Sequence, residues 1–212
     1  MRTLNPIRIL NRLRTKALYA SRLKAADEIQ GWLSVGEAVE LYRTARKLPS
    51  PALVVEIGCW KGKSTYCIAR GMDGGRLVVI DPFDSSGEPG SAEIYQDTKG
   101  DRPLIDQFKE NMERLGVADK IDTWAGYSKE FAGRLKGIDF LFIDGDHSVA
   151  GCDFDFQTYA PELKPGGYVA FHDYEPGRKD LGPTWVIQNR ILPSTGWRQV
   201  SIADRLWVGQ KL

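Results

Sequence analysis

Short apolar runs alternate with amphipathic segments along most of the chain. Five runs rich in β-branched and aromatic residues are typical of strands buried on both faces; they cover residues 53–57, 77–81, 121–126, 138–143 and 168–171. Strands that alternate with helices predict an α/β fold, in which a mostly parallel sheet carries helices on both faces. Two last runs, around 197–202 and 205–208, predict an antiparallel hairpin at the sheet edge.

Helix start and stop signals lie between these runs. Ser34-Val35-Gly36-Glu37 is a capping box, and the helix that it begins is expected to stop before Pro49. Trp32, just before this box, either packs against the protein or covers a ligand, and we favour packing. Other helices are expected at residues 64–71, 104–115, 128–135 and 153–163.

The segment 82–102 is rich in proline, glycine, serine and acidic residues. It is long for a connection between a strand and a helix, and long loops commonly bind ligands. We therefore expect a mobile loop that helps to shape a substrate pocket.

The N-terminal segment differs in charge from the rest. Seven of the 29 basic residues precede Asp27, the first acidic residue, so the other 22 accompany 28 acidic ones. A helix starting at Asn5-Pro6 would place apolar residues on one face and basic residues on another. Such a helix can lie on an anionic membrane, or pack on the protein body or a second subunit, which we favour. We expect residues 1–31 to form an extension and 32–212 the main domain.

Composition narrows the class of protein. The chain has 212 residues, a net charge of +1 and no apolar run long enough to span a membrane. Its three cysteines form no C-x-x-C pair, which favours reduced thiols in a cytoplasmic protein over disulfides or structural zinc. An acidic body with one terminal basic run does not favour nucleic-acid binding.

The turn after the first strand carries the clearest ligand signal. Gly58 and Gly62 allow a close backbone approach, and Ser64 opens a helix whose free N–H groups favour a negative ligand group. Gly62-Lys63-Ser64 resembles the end of a P-loop, but the spacing from Gly58 is one residue short. The dinucleotide pattern G-x-G-x-x-G is absent. A glycine turn without any ligand is the remaining alternative.

Polar residues follow each predicted strand. Ligands of open α/β sheets bind outside the carboxyl ends of the strands, and those ends carry Glu56, Asp81, Ser128, Asp144, His147, His172 and Asp173. Both histidines of the chain are in this set. The concentration predicts a functional site.

Several of these residues admit two interpretations. Asp81 either binds a ribose diol or stabilises a turn. Asp144 and Asp173 could share Mg²⁺, and His172 either adds a nitrogen ligand or supports the site by hydrogen bonding. His147, three residues after Asp144, is either a general base or a cap of the next helix.

The ordered motifs resemble one enzyme family. Glu56-Ile57-Gly58 with Gly62, Ile80-Asp81, Gly126-Tyr127-Ser128, Asp144-Gly145-Asp146-His147 and His172-Asp173 are similar to motifs of class I S-adenosylmethionine-dependent methyltransferases. The likeness is to small metal-dependent O-methyltransferases, such as those acting on catechols and macrolide sugars, and covers about residues 32–210. It implies a Rossmann-like seven-stranded sheet in the order 3-2-1-4-5-7-6.

The resemblance also implies roles for individual residues. Those assigned to the cofactor are Glu56, Gly58 and Gly62 at its methionine end, Ser64 near its carboxylate, Trp60 beside it, Asp81 on the ribose, Gly126 and Ser128 at the adenine, and Asp144. The metal would be held by Asp144 and Asp173, with His172 as a third candidate ligand. His147 matches the catalytic base. The pair His172-Asp173 departs from the family, which commonly has an acid or an Asp-Asn pair there.

The implied reaction moves a methyl group from S-adenosylmethionine to a hydroxyl oxygen, assisted by Mg²⁺ or another divalent metal. A sugar hydroxyl on a small molecule or glycan is the preferred acceptor, and a catechol-like phenol is second. A homo-oligomer is expected. The alternatives are a P-loop-like nucleotide hydrolase and a non-catalytic cofactor-binding protein.

Overall fold

The protein folds around one seven-stranded sheet, seen in a computed structural model that describes residues 6–86 and 92–212. The strands are β1 (Ala52–Ile57), β2 (Gly75–Asp81), β3 (Ile121–Ala125), β4 (Ile138–Ile143), β5 (Leu163–Phe171), β6 (Trp197–Ala203) and β7 (Leu206–Lys211). Their order across the sheet is β3-β2-β1-β4-β5-β7-β6. The predicted fold class and strand order are therefore confirmed.

The strand pairing brings several strand ends together. β1, β2, β3, β4 and β5 form parallel pairs, whereas β7 runs antiparallel to both β5 and β6. Ile57 of β1 lies opposite Ile80 of β2 and Ile143 of β4, and Ile143 lies opposite Phe171 of β5. The residues that follow these positions consequently meet at one edge of the sheet.

Helices cover both faces of the sheet. They are α1 (Pro6–Arg22), α2 (Val35–Ala45), α3 (Lys63–Gly71), α4 (Ala92–Lys99), α5 (Leu104–Arg114), α6 (Val149–Tyr159) and α7 (Gly182–Val186), and a π-helical turn (Ile187–Ile191) continues α7. Side chains alternate between the faces along each strand. Val54 packs into the core that contains α2, α3 and α5, whereas Val55 packs into the core that contains α6 and α7.

The N-terminal segment contributes to the first of these cores. Tyr19 at the end of α1 and Leu23, Ala26 and Ile29 beyond it are buried there. A short 3₁₀ helix, Lys24–Glu28, connects α1 to the capping box. The expected helix start at Asn5 lies outside the described residues. Among the described residues, no helix is both long and apolar enough to cross a membrane.

Three predicted elements differ from the structure. The segment 82–102 contains α4, because Ala92–Lys99 lacks the glycine and proline that fill the rest of the segment; residues 87–91 lie outside the described part. The helix expected at 128–135 is only a 3₁₀ turn, Ser128–Phe131, since Gly133 follows with a φ of 76°. The helix expected at 153–163 begins earlier, at Val149, where the Ser148 side chain accepts a hydrogen bond from the Gly151 N–H.

Candidate active site

A cavity of about 1210 Å³ lies at the carboxyl ends of β1, β2, β4 and β5. Most of the residues predicted from the sequence line it: Gly58, Trp60, Ser64, Asp81, Gly126, Ser128, Asp144, His147, His172 and Asp173. Glu56 and Gly62 do not. The predicted concentration of polar residues at one edge of the sheet is therefore present.

The turn from β1 to α3 is built from left-handed backbone. Gly58, Trp60 and Gly62 have φ values of 82°, 54° and 92°. A Cβ at Gly58 would overlap the carbonyl oxygen of Asp144, so this glycine permits contact between the turns that follow β1 and β4. A Cβ at Gly62 would lie 2.5 Å from Met112 Cε of α5. Gly62 therefore permits close packing against α5, and its contact with the cofactor stays a prediction.

Glu56 is a buried carboxyl group directly behind the cavity wall. The Ser64 hydroxyl donates a hydrogen bond to Glu56 Oε1, while Glu56 Oε2 has no partner among the described residues. Burial raises the pKa of Glu56 to about 8. Ser64 lines the cavity and Glu56 does not, so Ser64 links Glu56 to the cavity wall; the contact of Glu56 with the cofactor stays a prediction.

Asp81 holds the turns that follow β1 and β2. Its Oδ2 accepts hydrogen bonds from the Cys59 N–H at 2.8 Å and the Trp60 N–H at 3.1 Å. Its Oδ1 accepts one from the Phe83 N–H at 2.7 Å. The structure thus shows the turn role of Asp81, and its contact with a ribose stays a prediction.

On the opposite wall, polar groups that the sequence patterns did not single out lie beside the predicted Ser128. The Ser128 hydroxyl donates to Asp155 Oδ1, and burial raises the pKa of Asp155 to about 6. The Tyr127 hydroxyl donates to Asp84 Oδ2 at 2.7 Å. The sequence patterns do not indicate Asp155, because it lies inside helix α6 and does not follow a predicted strand. The packing of α6 in the fold brings Asp155 to the cavity.

Asp144, His147 and Asp173 come together at the cavity floor. Each offers one ligand atom, and these atoms all lie within 4.8 Å of one another. His147 Nε2 lies 3.5 Å from Asp144 Oδ1 and 3.5 Å from Asp173 Oδ2. The sequence had separated His147, as base, from the metal ligands; the structure puts it in the same group.

His172 lies behind the two carboxylates and is not part of this group. Its Nδ1 is 3.1 Å from Asp173 Oδ2 and 3.3 Å from Asp144 Oδ1, and its Nε2 is 3.4 Å from Glu37 Oε2. Of the two roles considered for His172, this arrangement is that of a supporting residue. Both nitrogens face carboxylates, and metal ligation by His172 stays a prediction.

Contacts between opposite charges set the protonation states of His172 and Asp144. Burial alone would lower the pKa of His172, but Asp144, Asp173 and Glu37 together raise it well above its usual range. Burial alone would raise the pKa of Asp144, but His172 and His147 lower it to about 2. Asp144 is therefore an anion at neutral pH.

Two residues from distant parts of the chain complete the cluster. The Arg205 guanidinium lies 2.9 Å from Asp173 Oδ1, and the Arg205 N–H donates to Glu37 Oε1 at 3.0 Å. Glu37 also accepts a hydrogen bond from the Ser34 N–H at 2.7 Å. The capping-box pattern predicts the local role of Glu37 but gives no sign of its second contact, which is with His172.

Three aromatic rings lie at the cavity mouth. Trp32, Trp60 and Tyr95 form a triangle with ring centroids 5.4 to 5.7 Å apart. Trp32 is 51% exposed. It therefore both packs and lines the cavity, whereas the sequence favoured packing alone.

Comparison with known proteins identifies the family. A family model described as a methyltransferase domain matches residues 55–174, which include the turn with Gly58 and Gly62 and the group formed by Asp144, His147 and Asp173. The chain belongs to this methyltransferase family. With the sheet order, the match confirms a class I methyltransferase fold. It leaves no support for the P-loop alternative, and the methyltransferase's Lys63 Nζ instead donates to the Gly31 carbonyl at 3.3 Å.

The methyltransferase is similar to proteins of varied origin. It is 28% identical over 128 residues to the uncharacterized protein R132 of Acanthamoeba polyphaga mimivirus, covering 57% of this chain and 51% of that protein. The chain thus spans about half the length of this curated relative.

Two solved structures share the fold over nearly their whole length. Cofactor-bound Rv0187 from MTB has 19% identity, a TM-score of 0.64 and 99% of each chain covered. The O-methyltransferase TomG from Streptomyces achromogenes, in complex with SAM, has 16% identity and a TM-score of 0.65, with 91% of this chain and 88% of TomG covered.

Proposed function

We propose that the protein transfers a methyl group from S-adenosylmethionine to a hydroxyl oxygen of a small molecule or glycan sugar. The observation that carries this proposal is the position of His147, whose Nε2 lies 3.5 Å from each of two carboxylates on the floor of the cavity. A base between two carboxylates is suited to removing a hydroxyl proton, because its charged form is stabilised as it appears. TomG, which shares the fold, is an O-methyltransferase bound to SAM.

The acidic cluster fits a divalent cation. Two carboxylates and an imidazole converge within 4.8 Å, and carboxylate oxygens are ligands that Mg²⁺ prefers. Asp144 and Asp173 would hold the ion, although the nearby imidazole nitrogen would also suit a transition metal. A bound cation would act as a Lewis acid that lowers the pKa of the acceptor hydroxyl.

The residues of the chain divide the remaining work. His147 accepts the hydroxyl proton at its imidazole, while His172 and Arg205 fix the carboxylates on either side of it. The glycine turn and Ser64 position the methyl donor, so that the acceptor oxygen forms a C–O bond as the S–CH₃ bond breaks. The products are the methyl ether, S-adenosylhomocysteine and the proton held by His147.

The cavity mouth supports a ring-shaped acceptor. The exposed ring of Trp32, with Trp60 and Tyr95 behind it, offers an apolar surface on which a sugar or phenol ring can stack. We prefer a sugar hydroxyl as the acceptor, with a catechol-like phenol second.

The proposal is tested first by cofactor binding. Calorimetric titration with S-adenosylmethionine and S-adenosylhomocysteine, each with and without Mg²⁺, should show binding of both. ATP is the control and should not bind. Binding of ATP alone would overturn the proposal.

Transfer itself is tested in the variants His147→Ala and Asp144→Asn. Both should keep S-adenosylhomocysteine binding largely intact but lose methyl transfer to any acceptor found in a screen of sugars and phenols, by about 100-fold or more. Asp119→Asn, at an exposed acid far from the cavity, is the matched control and should stay active. Full activity of the His147 and Asp144 variants would contradict the assignment, and cofactor binding without any transfer would favour a non-catalytic protein.

A further inference from the structure

Helix α1 has two apolar faces that point in different directions. Near its end, Tyr19 is buried in the protein core, and Leu23 just beyond the helix is buried as well. A second face is exposed: Leu10, Leu13, Ala17 and Ala20 recur at a spacing of three and four residues, so they share one side of the helix. Leu10 is 48% exposed and Leu13 is 58% exposed. We call this second set the outward face.

We propose that the outward face of α1 docks the protein on an anionic lipid surface. An amphipathic helix of this kind lies in the plane of a membrane, with its apolar side chains among the lipid tails and its basic side chains at the headgroups. The protein would be bound to the membrane surface and would not cross it.

The charges around the outward face match such a partner. Arg14 and Lys16 flank the outward face on its two sides, and Arg12 and Arg22 are exposed elsewhere on α1. No acidic residue precedes Asp27, so none of these cations is neutralised within the helix. Basic side chains beside an apolar face are attracted by the negative potential of anionic lipids.

The same charges argue against a second copy of the helix as the partner. A symmetric contact between two α1 helices would bring two sets of basic side chains together with no acid on either helix to pair them. Like charges at such a contact repel one another. The protein's own body is also not the partner, because Tyr19 and Leu23 already commit another side of this segment to the core.

Contacts with the protein core fix the position of α1 and therefore the direction of its outward face. Leu23, Ala26 and Ile29 are buried just after the helix, and the Arg114 guanidinium forms an ion pair with Glu28. These contacts hold the C-terminal end of α1. In the first turns of the helix, the side chains that the structure describes are exposed. A lipid surface could therefore be met without unfolding any part of the core.

The test is flotation of the full chain with lipid vesicles. Vesicles of phosphatidylcholine mixed with phosphatidylglycerol should carry the protein upward, and vesicles of phosphatidylcholine alone should not. The double variants Leu10→Gln/Leu13→Gln and Arg14→Gln/Lys16→Gln should each reduce the bound fraction about tenfold. Added salt should weaken binding.

Matched controls separate this effect from general changes at the surface. Leu192→Gln removes another leucine that is 53% exposed, and Lys109→Gln removes an exposed cation on α5. Both should float like the natural chain, and all variants should keep the same melting temperature because none of these side chains is buried.

Three results would overturn the proposal. One is no flotation of the intact chain with anionic vesicles. Another is flotation that the α1 variants do not reduce. The third is a dimer in the absence of lipid that Leu10→Gln/Leu13→Gln dissociates, because the outward face would then be covered by a second copy.

Discussion

Glu56 is a buried carboxyl group that is linked to the cavity wall through Ser64. It lies fully buried in β1, between β2 and β4, and accepts a hydrogen bond from the Ser64 hydroxyl. A protonated carboxyl is the form that such surroundings favour, and the pKa of about 8 reflects this. At neutral pH the group is therefore largely neutral and fixes Ser64 in the cavity wall.

This gives a prediction for stability as a function of pH. Since the folded protein binds this proton more tightly than the unfolded chain, whose glutamate pKa is about 4.3, the contribution of Glu56 falls as pH rises from about 4.5 to 8. The free energy of unfolding of the natural protein, relative to Glu56→Gln, should drop by a few kcal/mol over that range. Urea denaturation of both proteins at pH 5 and pH 8 measures it.

The glutamine variant serves as its own reference, because it keeps the size of the side chain and cannot titrate. Contributions of other buried acids, such as Asp155, are common to both proteins and cancel in the difference. Parallel stability curves for the two proteins would show that Glu56 has an ordinary pKa.

At the scale of elements, helix α2 connects the N-terminal part of the chain to the acidic cluster. Its capping box joins Ser34 and Glu37, and Glu37 Oε2 also lies 3.4 Å from His172 Nε2. The Arg205 N–H, from the turn between β6 and β7, donates to the same carboxylate. One buried side chain therefore fixes the relative position of α2, β5 and the C-terminal hairpin.

We expect Glu37→Gln to lower the free energy of unfolding at pH 7 by about 2 kcal/mol, because His172 loses its buried anionic partner. The His172 interaction lowers the pKa of Glu37 although burial alone would raise it, so this contribution is present at neutral pH. It should be lost as pH falls through the folded pKa of Glu37, which lies below the ordinary glutamate value. Glu40→Gln, on the same helix and bonded to Ser201, is the control.

Chemical denaturation at pH 7 and at acidic pH distinguishes the two variants. Equal losses for Glu37→Gln and Glu40→Gln would mean that the contact with His172 adds nothing to stability.

The elements themselves were largely predictable from the sequence. The five predicted strands and the C-terminal hairpin are confirmed, because periodicity and flanking turn residues are local signals. Helix α4 was missed, since the glycine and proline residues around Ala92–Lys99 dominated the composition of the segment. The length of the helix that begins at Ser128 was overestimated, because Gly133 ends it and the prediction did not take this glycine into account.

At the scale of the whole molecule, the site depends on strand register. The sequence predicted which polar residues follow each strand, and parallel pairing then places them together. It did not predict that His172 turns toward Glu37 or that Asp155 reaches the cavity from α6. Those contacts join residues that are far apart in the chain, and no local pattern encodes them. The compartment, oligomeric state and domain boundary stay predictions.

The contact between the turns after β1 and β4 gives a prediction at this scale. Gly58→Ala should lower the free energy of unfolding by about 3 kcal/mol or more, because a left-handed alanine is strained and its Cβ overlaps the Asp144 carbonyl. Gly116→Ala is the control: Gly116 has a φ of 66°, but no atom lies within 4 Å of its Cβ position. It should lose only about 1 kcal/mol.

Urea denaturation of the two alanine variants separates strain from overlap. Similar losses would mean that the two turns can move apart freely.

The cavity draws its floor and its rim from different kinds of structure. The floor consists of strand ends fixed by register and by backbone contact, whereas the rim is made by Trp32 and Arg178 from connecting segments and by Tyr95 from α4. Substitutions at the rim would change what enters without disturbing the groups proposed to carry out transfer. Proteins with this architecture can therefore evolve to accept new substrates by substitutions at the rim of the cavity, while the residues at the strand ends stay the same.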